Sequence, residues 1–350
     1  MASISNISRI CFNLPINGFI NIRMHFCNQP WTTFAITSNG DINPCLCGSW
    51  NSVGSIGNLL KQDFNEILVS EKIKNFRGTI LDKTFSKCQK ICPTLHKLPI
   101  ADNTAYTLHD FFLPKHILLA IDYNCNLACK SCRLENFFSN KKNKNAEKIL
   151  EKILDLYSNK ETEVVIQCDG AGDIFASASY KSFLQSNRLT KNFKLQFITN
   201  GNLILKNLQI LEKLKNQINS VDVSIDAANA ETYKLTRGGV FAKVIDGIKC
   251  LIKKKIKTNL SFVVQKKNYR EIRQAWQLGV ELGCHSINFH KLIRWRHMSD
   301  SWWEENKLEN NHLVDMKFIR EELTYLKNKP NFIVANESIP VHMTGNLYTL

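Results

Sequence analysis

The stretch "YNCNLACKSC" (Tyr123–Cys132) holds three cysteines spaced C-x3-C-x2-C, a pattern suited to binding a metal. Clustered thiolates select zinc or iron–sulfur clusters. Structural zinc sites usually pair two short cysteine knuckles, and no second pair lies close by in this sequence. Ferredoxin clusters bind four cysteines at other spacings. If three thiolates bind a cluster, one of its metal ions has a coordination position without a protein ligand. Catalytic metal sites keep such a position open for a substrate.

A structural explanation competes with a metal site. Cys125, Cys129 and Cys132 stand at positions i, i+4 and i+7, so three thiols on one buried helix face would have the same spacing. The places of other polar residues favour a site, because these residues also follow predicted strands. They are "DGAGD" (Asp169–Asp173), "TNG" (Thr199–Gly201), Asp226, Gln265 and His290. Ligands of α/β proteins bind at the carboxyl ends of strands.

Apolar runs that alternate with amphipathic segments predict the elements that hold these residues. Strands are predicted over His116–Asp122, Glu163–Cys168, Lys194–Thr199, Val221–Ile225, Asn259–Val264 and Ser286–His290. Helices are predicted near Ala146–Tyr157, Ser177–Ser186, Lys206–Asn216, Phe241–Lys255 and Tyr269–Leu282. This alternation indicates right-handed β/α units and a parallel sheet, either doubly wound or an incomplete barrel.

Composition is that of an ordinary globular protein. The chain has 350 residues, of which 44% are hydrophobic and 22% charged, so it is too long for one small core. We find no apolar run long enough to cross a bilayer and no basic-then-apolar signal peptide at the amino end. A cytoplasmic location is therefore expected, where the twelve cysteines serve as metal ligands or buried thiols. Cys168, Cys250 and Cys284 have apolar neighbours and are predicted to be buried thiols.

The net charge of +15 comes largely from lysine-rich segments such as Ser139–Lys148 and Lys249–Lys257. Their spacing predicts solvated surfaces, and neither nucleic acid nor membrane is expected as a partner. A basic surface is compatible with an anionic substrate, because it raises the local concentration of anions. Four basic residues lie at or just past the end of the sixth predicted strand, namely His290, Lys291, Arg294 and Arg296. They would either contact such a substrate or form a solvated loop.

Taken in chain order, the motifs resemble those of the radical S-adenosylmethionine (SAM) enzyme superfamily. "CDGAGDIFAS" (Cys168–Ser177) resembles its glycine-rich strand-two motif, and "FITNG" (Phe197–Gly201) its strand-three element. "VDVSIDAANAETYKLTRGGVF" (Val221–Phe241) resembles the segment that approaches the ribose and carboxylate of SAM. The resemblance covers roughly residues 115–291. It implies an α/β fold with a partial (β/α)6 barrel similar to a TIM barrel.

The resemblance implies that Cys125, Cys129 and Cys132 hold a four-iron, four-sulfur cluster and that SAM binds the open iron. An electron, supplied by a donor such as flavodoxin or ferredoxin, would cleave SAM to a 5′-deoxyadenosyl radical that abstracts a substrate hydrogen. The implied cofactor contacts are Gly170, Ala171, Gly172, Asp173, Thr199, Asn200, Ser224, Asp226 and Arg237. Ordinary turns and a helix cap at Asp226 are the competing explanations.

A second set of cysteines precedes the predicted barrel. Cys27, Cys45, Cys47, Cys88 and Cys92 can fill one four-ligand site, and residue types alone leave zinc and iron–sulfur open. The elements C-x2-P-W, N-G-D-x-x-P-C and C-x3-C resemble SPASM or twitch domains, which carry an auxiliary iron–sulfur cluster and usually follow the barrel. The resemblance implies Cys27, Cys45, Cys88 and Cys92 as ligands, with Cys47 as the alternate; Cys11 is taken as a free thiol.

The sequence therefore predicts a small cysteine-rich, loop-rich domain over residues 1–110, a radical SAM partial barrel over 111–293 and a helical extension over 294–350. Peptide, carbohydrate and RNA modification all remain open as outcomes. The alternative is a zinc-stabilised, non-catalytic binding protein that uses "RWRHMSDSWWEE" (Arg294–Glu305) as an interaction surface.

Overall fold

The computed structural model describes residues 26–45, 51–89, 92, 106–133, 135, 137–168, 171–294, 298–308 and 313–334. The chain divides into two compact units, Met1–Ile121 and Asp122–Leu350. The first predicted strand of the barrel groups with the first unit, whereas the cysteine motif that follows it belongs to the second. The boundaries predicted at residues 110 and 293 stay predictions.

The first unit combines a small sheet with short helices. In chain order it contains α1 (Gln29–Thr32), β1 (Thr33–Thr37), β2 (Asp41–Asn43), β3 (Gly57–Asn58), α2 (Phe64–Leu68), α3 (Glu71–Leu81) and β4 (His116–Ala120). Strand β1 pairs in parallel with β4 and antiparallel with β2, which pairs antiparallel with β3. The amino-terminal region thus adds strands beside the first predicted β/α strand.

The three helices of this unit, α1, α2 and α3, were not among the predicted elements. Local sequence signals account for α2 and α3. Asp63 and Glu66 form a capping box at α2, and the Ser70 hydroxyl accepts a hydrogen bond from the Ile73 N–H at 3.5 Å to begin α3. Their apolar residues, such as Ile67 and Ile73, are fully buried.

The second unit is an α/β structure with a parallel sheet. Its elements are α4 (Lys144–Tyr157), β5 (Val164–Cys168), α5 (Ala178–Gln185), β6 (Phe193–Thr199), α6 (Leu208–Lys213), β7 (Ile218–Ser224), α7 (Ala230–Thr236), α8 (Phe241–Lys253), β8 (Thr258–Val264), α9 (Ile272–Leu282), β9 (Ser286–Lys291), α10 (Asp300–Asn306), α11 (Leu313–Leu326) and β10 (Phe332–Val334). Strands β5 to β10 pair in parallel in their order along the chain. A doubly wound sheet reverses its strand order, so this order is that of a barrel segment.

The two faces of this sheet have different environments. Along β6 the burial alternates, with Phe193, Leu195 and Phe197 fully buried and the residues between them half-exposed. Helices α8 and α9 pack on β8 and α9 also on β9. Helix α4 shows why such helices form, because all its apolar residues except the half-exposed Leu156 lie along one buried stripe. One face of the sheet is therefore packed with apolar side chains, and the other face stays half-exposed.

The predicted strands and the α/β class with a mostly parallel sheet are confirmed. The helix predicted over Lys206–Asn216 is shorter, because a 3₁₀ turn over Leu205–Asn207 precedes α6. Helix α7 was not predicted.

Helix α11 is anchored by a bidentate bond, in which Arg273 donates to both carboxylate oxygens of Glu322 at 2.8 Å. Across the part of the chain that the structure describes, no helix combines the length and apolarity needed to span a membrane.

Candidate metal and cofactor sites

The three motif cysteines lie in an irregular loop at the start of the second unit, not on a helix. The Cys125 N–H donates to the Phe137 carbonyl at 2.8 Å, and the Cys132 N–H donates to the Cys129 carbonyl at 2.8 Å. Cys125 and Cys129 are buried, whereas Cys132 is exposed. The explanation of three thiols on one helix face is therefore wrong, and the loop presents its sulfurs from separate backbone positions.

The two buried motif sulfurs each have a polar neighbour. Asn200 Nδ2 lies 3.7 Å from Cys125 Sγ, and Cys129 Sγ lies 3.6 Å from the carbonyl oxygen of Arg237. These two neighbours come from the ends of β6 and α7. Elements far apart in sequence therefore converge on the cysteine loop.

Burial controls the ionisation of the two inner thiols. It raises the pKa of Cys129 to about 11 and also raises the pKa of Cys125 above its usual range. Both thiols are therefore protonated in neutral solution without a metal. Iron or zinc binds the thiolate, so metal binding would displace these protons.

The glycine-rich segment after β5 packs directly on the cysteine loop. A Cβ atom on Gly172 would lie 2.2 Å from the Asn124 carbonyl oxygen and 2.7 Å from that of Asp122. The Asp173 N–H donates to the same Asn124 carbonyl at 2.8 Å. Only glycine permits this approach without a shift of the backbone. Gly170 lies outside the described residues.

Asp173 joins this segment to the end of β6. Its buried carboxylate accepts hydrogen bonds from the Thr199 hydroxyl at 2.8 Å, the Asn200 N–H at 2.7 Å and the Phe175 N–H at 3.0 Å. Burial raises the pKa of Asp173, and these hydrogen bonds oppose that effect. Asn200 then reaches Cys125, and its side chain also donates to Asn126 Oδ1 at 2.9 Å. Gly172, Asp173, Thr199, Asn200 and Cys125 thus form one continuous network.

Asp226 and Arg237 form a second group beside Cys129. Asp226 is buried with a left-handed φ of +47°, and its carboxylate accepts from Arg237 Nη1 at 2.5 Å and from the Val263 N–H at 2.7 Å. Burial lowers the pKa of Arg237, but the charges of Cys129 and Asp226 outweigh burial and raise it above its usual range. Among the described residues, Arg237 Nε has no hydrogen-bond partner.

Helix α7 does not use Asp226 as its cap. Its N-cap is Asn229, whose side chain accepts from the Thr232 N–H at 2.9 Å. Ser224 ends β7 and is half-buried, and no described residue forms a hydrogen bond with its hydroxyl. Ser224 is therefore close to Asp226 in sequence, but it belongs neither to the network around Asp173 nor to the group formed by Asp226 and Arg237.

The basic residues after β9 do not form a cluster in the described part of the chain. Arg294 pairs with Asp300 and lies over the Trp303 ring with its guanidinium carbon 5.8 Å from the ring centre. Arg296 lies outside the described residues. His290 lies on β9 and is half-buried; burial lowers its pKa, and the charges of Asp226 and Asp222 partly offset that effect.

Arg133 was missed by the sequence analysis. Its guanidinium donates to the Tyr123 carbonyl at 2.8 Å and to the Ala171 carbonyl at 2.7 Å, and its Nη2 lies 4.0 Å from Cys132 Sγ. It therefore closes the cysteine loop and fastens it to the glycine-rich segment. The only signal in the sequence was a basic residue directly after the last motif cysteine.

The cysteines of the first unit also come together. Burial raises the pKa of Cys88 to about 12, and the charges of Cys27, Cys92 and Cys45 raise it further in that order. Burial likewise raises the pKa of Cys27 to about 11. The other three thiols thus lie close enough to Cys88 for their charges to affect its pKa. Cys47 lies outside the described residues.

A packed scaffold positions these four thiols. Cys27 lies in one apolar cluster with Trp31 and Phe76, and Cys88 packs against that cluster. The Cys45 thiol donates to Gln29 Oε1 at 3.0 Å. The fully buried Arg77 donates to the Pro30 carbonyl at 3.2 Å and the Asp110 carbonyl at 2.8 Å, which holds α3 to the segment around α1.

Among the described residues, no three His, Cys, Asp or Glu side chains lie close enough together to hold a single metal ion. The fit of a metal group therefore rests on the chemistry of the donors. Each set consists of thiols alone, which suits zinc or an iron–sulfur cluster.

Two family models match the chain. Residues 121–278 match the radical SAM superfamily, and residues 27–93 match SPASM, an iron–sulfur cluster-binding domain. The first range contains the cysteine loop and the second contains all five cysteines assigned to the auxiliary site.

Known proteins resemble parts of the chain. The antilisterial bacteriocin subtilosin biosynthesis protein AlbA of Bacillus subtilis is 28% identical over 187 residues, which is 52% of this chain and 40% of AlbA. The AdoMet-dependent heme synthase of Methanosarcina barkeri is 28% identical over 187 residues, 51% of each chain. The chain thus spans about half, or less, of the length of these relatives. The structure of SuiB of Streptococcus suis bound to S-adenosylmethionine is 18% identical to this chain, with a TM-score of 0.49. The match covers 77% of this chain and 62% of the SuiB chain. A likeness this distant adds nothing to the family matches.

The chain carries a radical SAM domain over residues 121–278 and, on its amino-terminal side, a SPASM domain over residues 27–93. These two domains identify the cofactors as SAM, a four-iron cluster and an auxiliary iron–sulfur cluster. The donors present fit these groups. Three thiols lie on one loop with amide and guanidinium groups beside their sulfurs, and four further thiols gather in the first unit. Neither comparison supports the alternative of a zinc-stabilised binding protein.

Proposed function

We propose that Cys125, Cys129 and Cys132 hold a four-iron cluster and that SAM occupies the position these three ligands leave open. The convergence of the ends of β6 and α7 on a loop with three cysteines supports this proposal most strongly. Bound there, the two cofactors would supply reductive cleavage of SAM to a 5′-deoxyadenosyl radical that abstracts a substrate hydrogen. The protein binds, orients and shields them.

The remaining predicted contacts divide into positioning and binding groups. Asp173 and Thr199 orient Asn200 through hydrogen bonds, and Asn200 in turn contacts Cys125. The unpartnered Nε of Arg237 is a donor suited to the carboxylate of SAM. The Ser224 hydroxyl suits a ribose hydroxyl. Ala171 and Gly172 supply backbone beside the cysteine loop, Gly170 stays a contact predicted from the sequence, and Asp226 holds Arg237 in place.

We assign the auxiliary cluster to Cys27, Cys45, Cys88 and Cys92, with Cys47 as the alternate. The charges of Cys27, Cys92 and Cys45 all raise the pKa of Cys88, which supports this set. A cluster with four protein ligands has no open iron, which favours electron transfer over substrate binding as its role.

A peptide is our first choice of substrate class. The support is the name of one relative, AlbA, which is a bacteriocin biosynthesis protein. Neither AlbA nor the heme synthase is named for modification of a carbohydrate or RNA. No disulfide joins the described cysteines, in keeping with work in the cytoplasm, where a flavodoxin or ferredoxin would supply the electron.

Release of 5′-deoxyadenosine tests the proposal. Anaerobically reconstituted protein with SAM and dithionite should form 5′-deoxyadenosine, and the C125A/C129A/C132A variant should form at least about a hundredfold less, because the ligands that hold the cluster are gone. C250A, which removes a half-buried thiol on α8, is the matched control and should retain the wild-type rate. Equal product from the triple variant and the wild type would reject the proposal.

A further inference from the structure

The Glu271 carboxylate lies at the amino end of α7 and accepts three hydrogen bonds there. Its Oε2 accepts from the Ala228 N–H at 2.6 Å, and its Oε1 accepts from Asn229 Nδ2 at 2.9 Å. The Thr232 hydroxyl donates to the same Oε1. Glu271 itself belongs to a 3₁₀ turn, Tyr269–Glu271, that follows β8. One side chain therefore joins the connections that follow two neighbouring strands, β7 and β8.

Helix α7 depends on such bonds because it is short. It has seven residues, and an isolated helix of that length is not stable in water. The N–H groups of a first turn have no partners within the helix, and the positive end of the helix dipole favours a negative charge beside them. Asn229 caps one of these groups, the Thr232 N–H. Glu271 adds the negative charge and holds the segment that enters the helix.

The other end of α7 reaches the cysteine loop. Arg237 directly follows the helix, and its carbonyl oxygen lies 3.6 Å from Cys129 Sγ. Its guanidinium donates to the Asp226 carboxylate, and the Thr236 hydroxyl donates to the Asp226 carbonyl at 3.2 Å. Seven helical residues span about 10 Å. Glu271 and Arg237 thus lie at opposite ends of the same helix.

The connection after β8 also holds Asp226, the partner of Arg237. Asn268 is 1% exposed, and its Nδ2 donates to the Asp226 carbonyl at 3.0 Å and to the Val263 carbonyl at 2.8 Å. Asp226 has a φ of +47°, in the left-handed region that residues other than glycine rarely adopt. One connection therefore fixes both the residue that pairs with Arg237 and the helix that carries Arg237.

Glu271 has no direct contact with the cofactor-binding group. Both of its carboxylate oxygens already accept hydrogen bonds from the start of α7. Within the part of the chain that the structure describes, its side chain forms no hydrogen bond with Asp226, Arg237 or Cys129. Any influence of Glu271 on these three residues must therefore pass through α7.

We propose that Glu271 is a positioning residue that holds α7 so that Arg237 stays beside Cys129. This inference rests on the proposed function, in which Arg237 binds the carboxylate of SAM. Without the Glu271 carboxylate, the first turn of α7 frays and Arg237 spends less time in its place. The affinity for SAM then falls, although the three cysteines that hold the cluster are unchanged.

Titration of the reduced, cluster-loaded protein with SAM tests the inference, with the change in the electron paramagnetic resonance spectrum as the readout. Glu271→Ala should weaken SAM binding about tenfold, because a charged hydrogen-bond acceptor is lost. Glu271→Gln keeps the size and one acceptor oxygen, so it should weaken binding only about threefold. The SAM concentration that gives half the maximal rate of 5′-deoxyadenosine release should rise by the same factors, with little change in the maximal rate.

Glu66→Ala is the matched control, because Glu66 also serves the start of a short helix. Its Oε2 accepts from the Asp63 N–H at 3.3 Å at the amino end of α2, in the first unit. Glu66→Ala should lower the midpoint of thermal unfolding, as Glu271→Ala does, and leave the affinity for SAM unchanged.

Equal loss of SAM affinity in Glu66→Ala and Glu271→Ala would overturn the inference, since general destabilisation would explain it. Wild-type affinity in Glu271→Ala would also overturn it. If Glu271→Ala fails to fold, Glu271→Gln decides, and an unchanged affinity in that variant would reject the positioning role. Wild-type protein whose spectrum does not respond to SAM would instead reject the proposed function itself.

Discussion

At the scale of single residues, the sequence identifies ligands more readily than the groups that hold them. The spacing of Cys125, Cys129 and Cys132, the proposed ligands of the cluster, is visible in the printed sequence. The role of Arg133 is not visible, since its acceptors are the backbone carbonyls of Tyr123 and Ala171, which every residue type possesses. The same holds for Arg237, whose pairing with Asp226 depends on where α7 ends.

At this scale we predict how His290 affects the pH dependence of stability. Its folded pKa is lowered by burial from the ordinary 6.5, against the opposing charges of Asp226 and Asp222. As pH falls below 6.5, the unfolded chain binds a proton that folded His290 does not, so the free energy of unfolding should fall until the folded pKa is reached. His290→Gln should remove this part of the pH dependence, as measured by urea unfolding between about pH 5 and pH 7. An unchanged pH dependence would contradict the account.

At the scale of elements, burial pattern explains what the sequence predicts well. Strands β5 to β9 were predicted because their apolar residues are continuous or alternate, and the structure buries those residues under helices. Helix α7 has seven residues, too few to show a periodic apolar face. Pairing of β1 with β4 joins segments about eighty residues apart, which local pattern does not encode.

At this scale we predict how a substitution at Gly172 affects stability and iron content. Gly172→Ala places a methyl group against the Asn124 carbonyl, so the glycine-rich segment and the cysteine loop must separate. We expect a loss of about 1–3 kcal/mol in the free energy of unfolding and loss of iron from the second-unit site. Iron content per chain and thermal unfolding measure both effects.

Gly78→Ala is the control for this substitution. Gly78 lies inside α3, and a Cβ there would meet only Leu108 Cδ2 at an ordinary 3.7 Å. The alanine variant should keep its full iron content, and α3 should be more stable by about 0.5–1 kcal/mol. If Gly172→Ala behaved in the same way, the close approach of the two segments would not matter for the site.

At the scale of the whole molecule, each of the two units contains its own set of thiols. Cys27, Cys45, Cys88 and Cys92 lie in the first unit, and Cys125, Cys129 and Cys132 lie in the second. The sequence predicted both sets and their order, because each is tied to a local motif. It did not predict that β4 would group with the first unit, since that depends on pairing with β1. Two separate sets imply two clusters that can be removed one at a time.

We propose that SAM binds the cluster on the cysteine loop and not the auxiliary cluster. Electron paramagnetic resonance of two complementary reduced variants, C125A/C129A/C132A and C27A/C45A/C88A/C92A, tests it most directly. Each variant should retain one of the two clusters, with about four irons in the cluster on the cysteine loop. SAM should change the spectrum of the C27A/C45A/C88A/C92A variant and leave that of C125A/C129A/C132A unchanged. A spectrum of C125A/C129A/C132A that responds to SAM, while the other does not, would contradict the account.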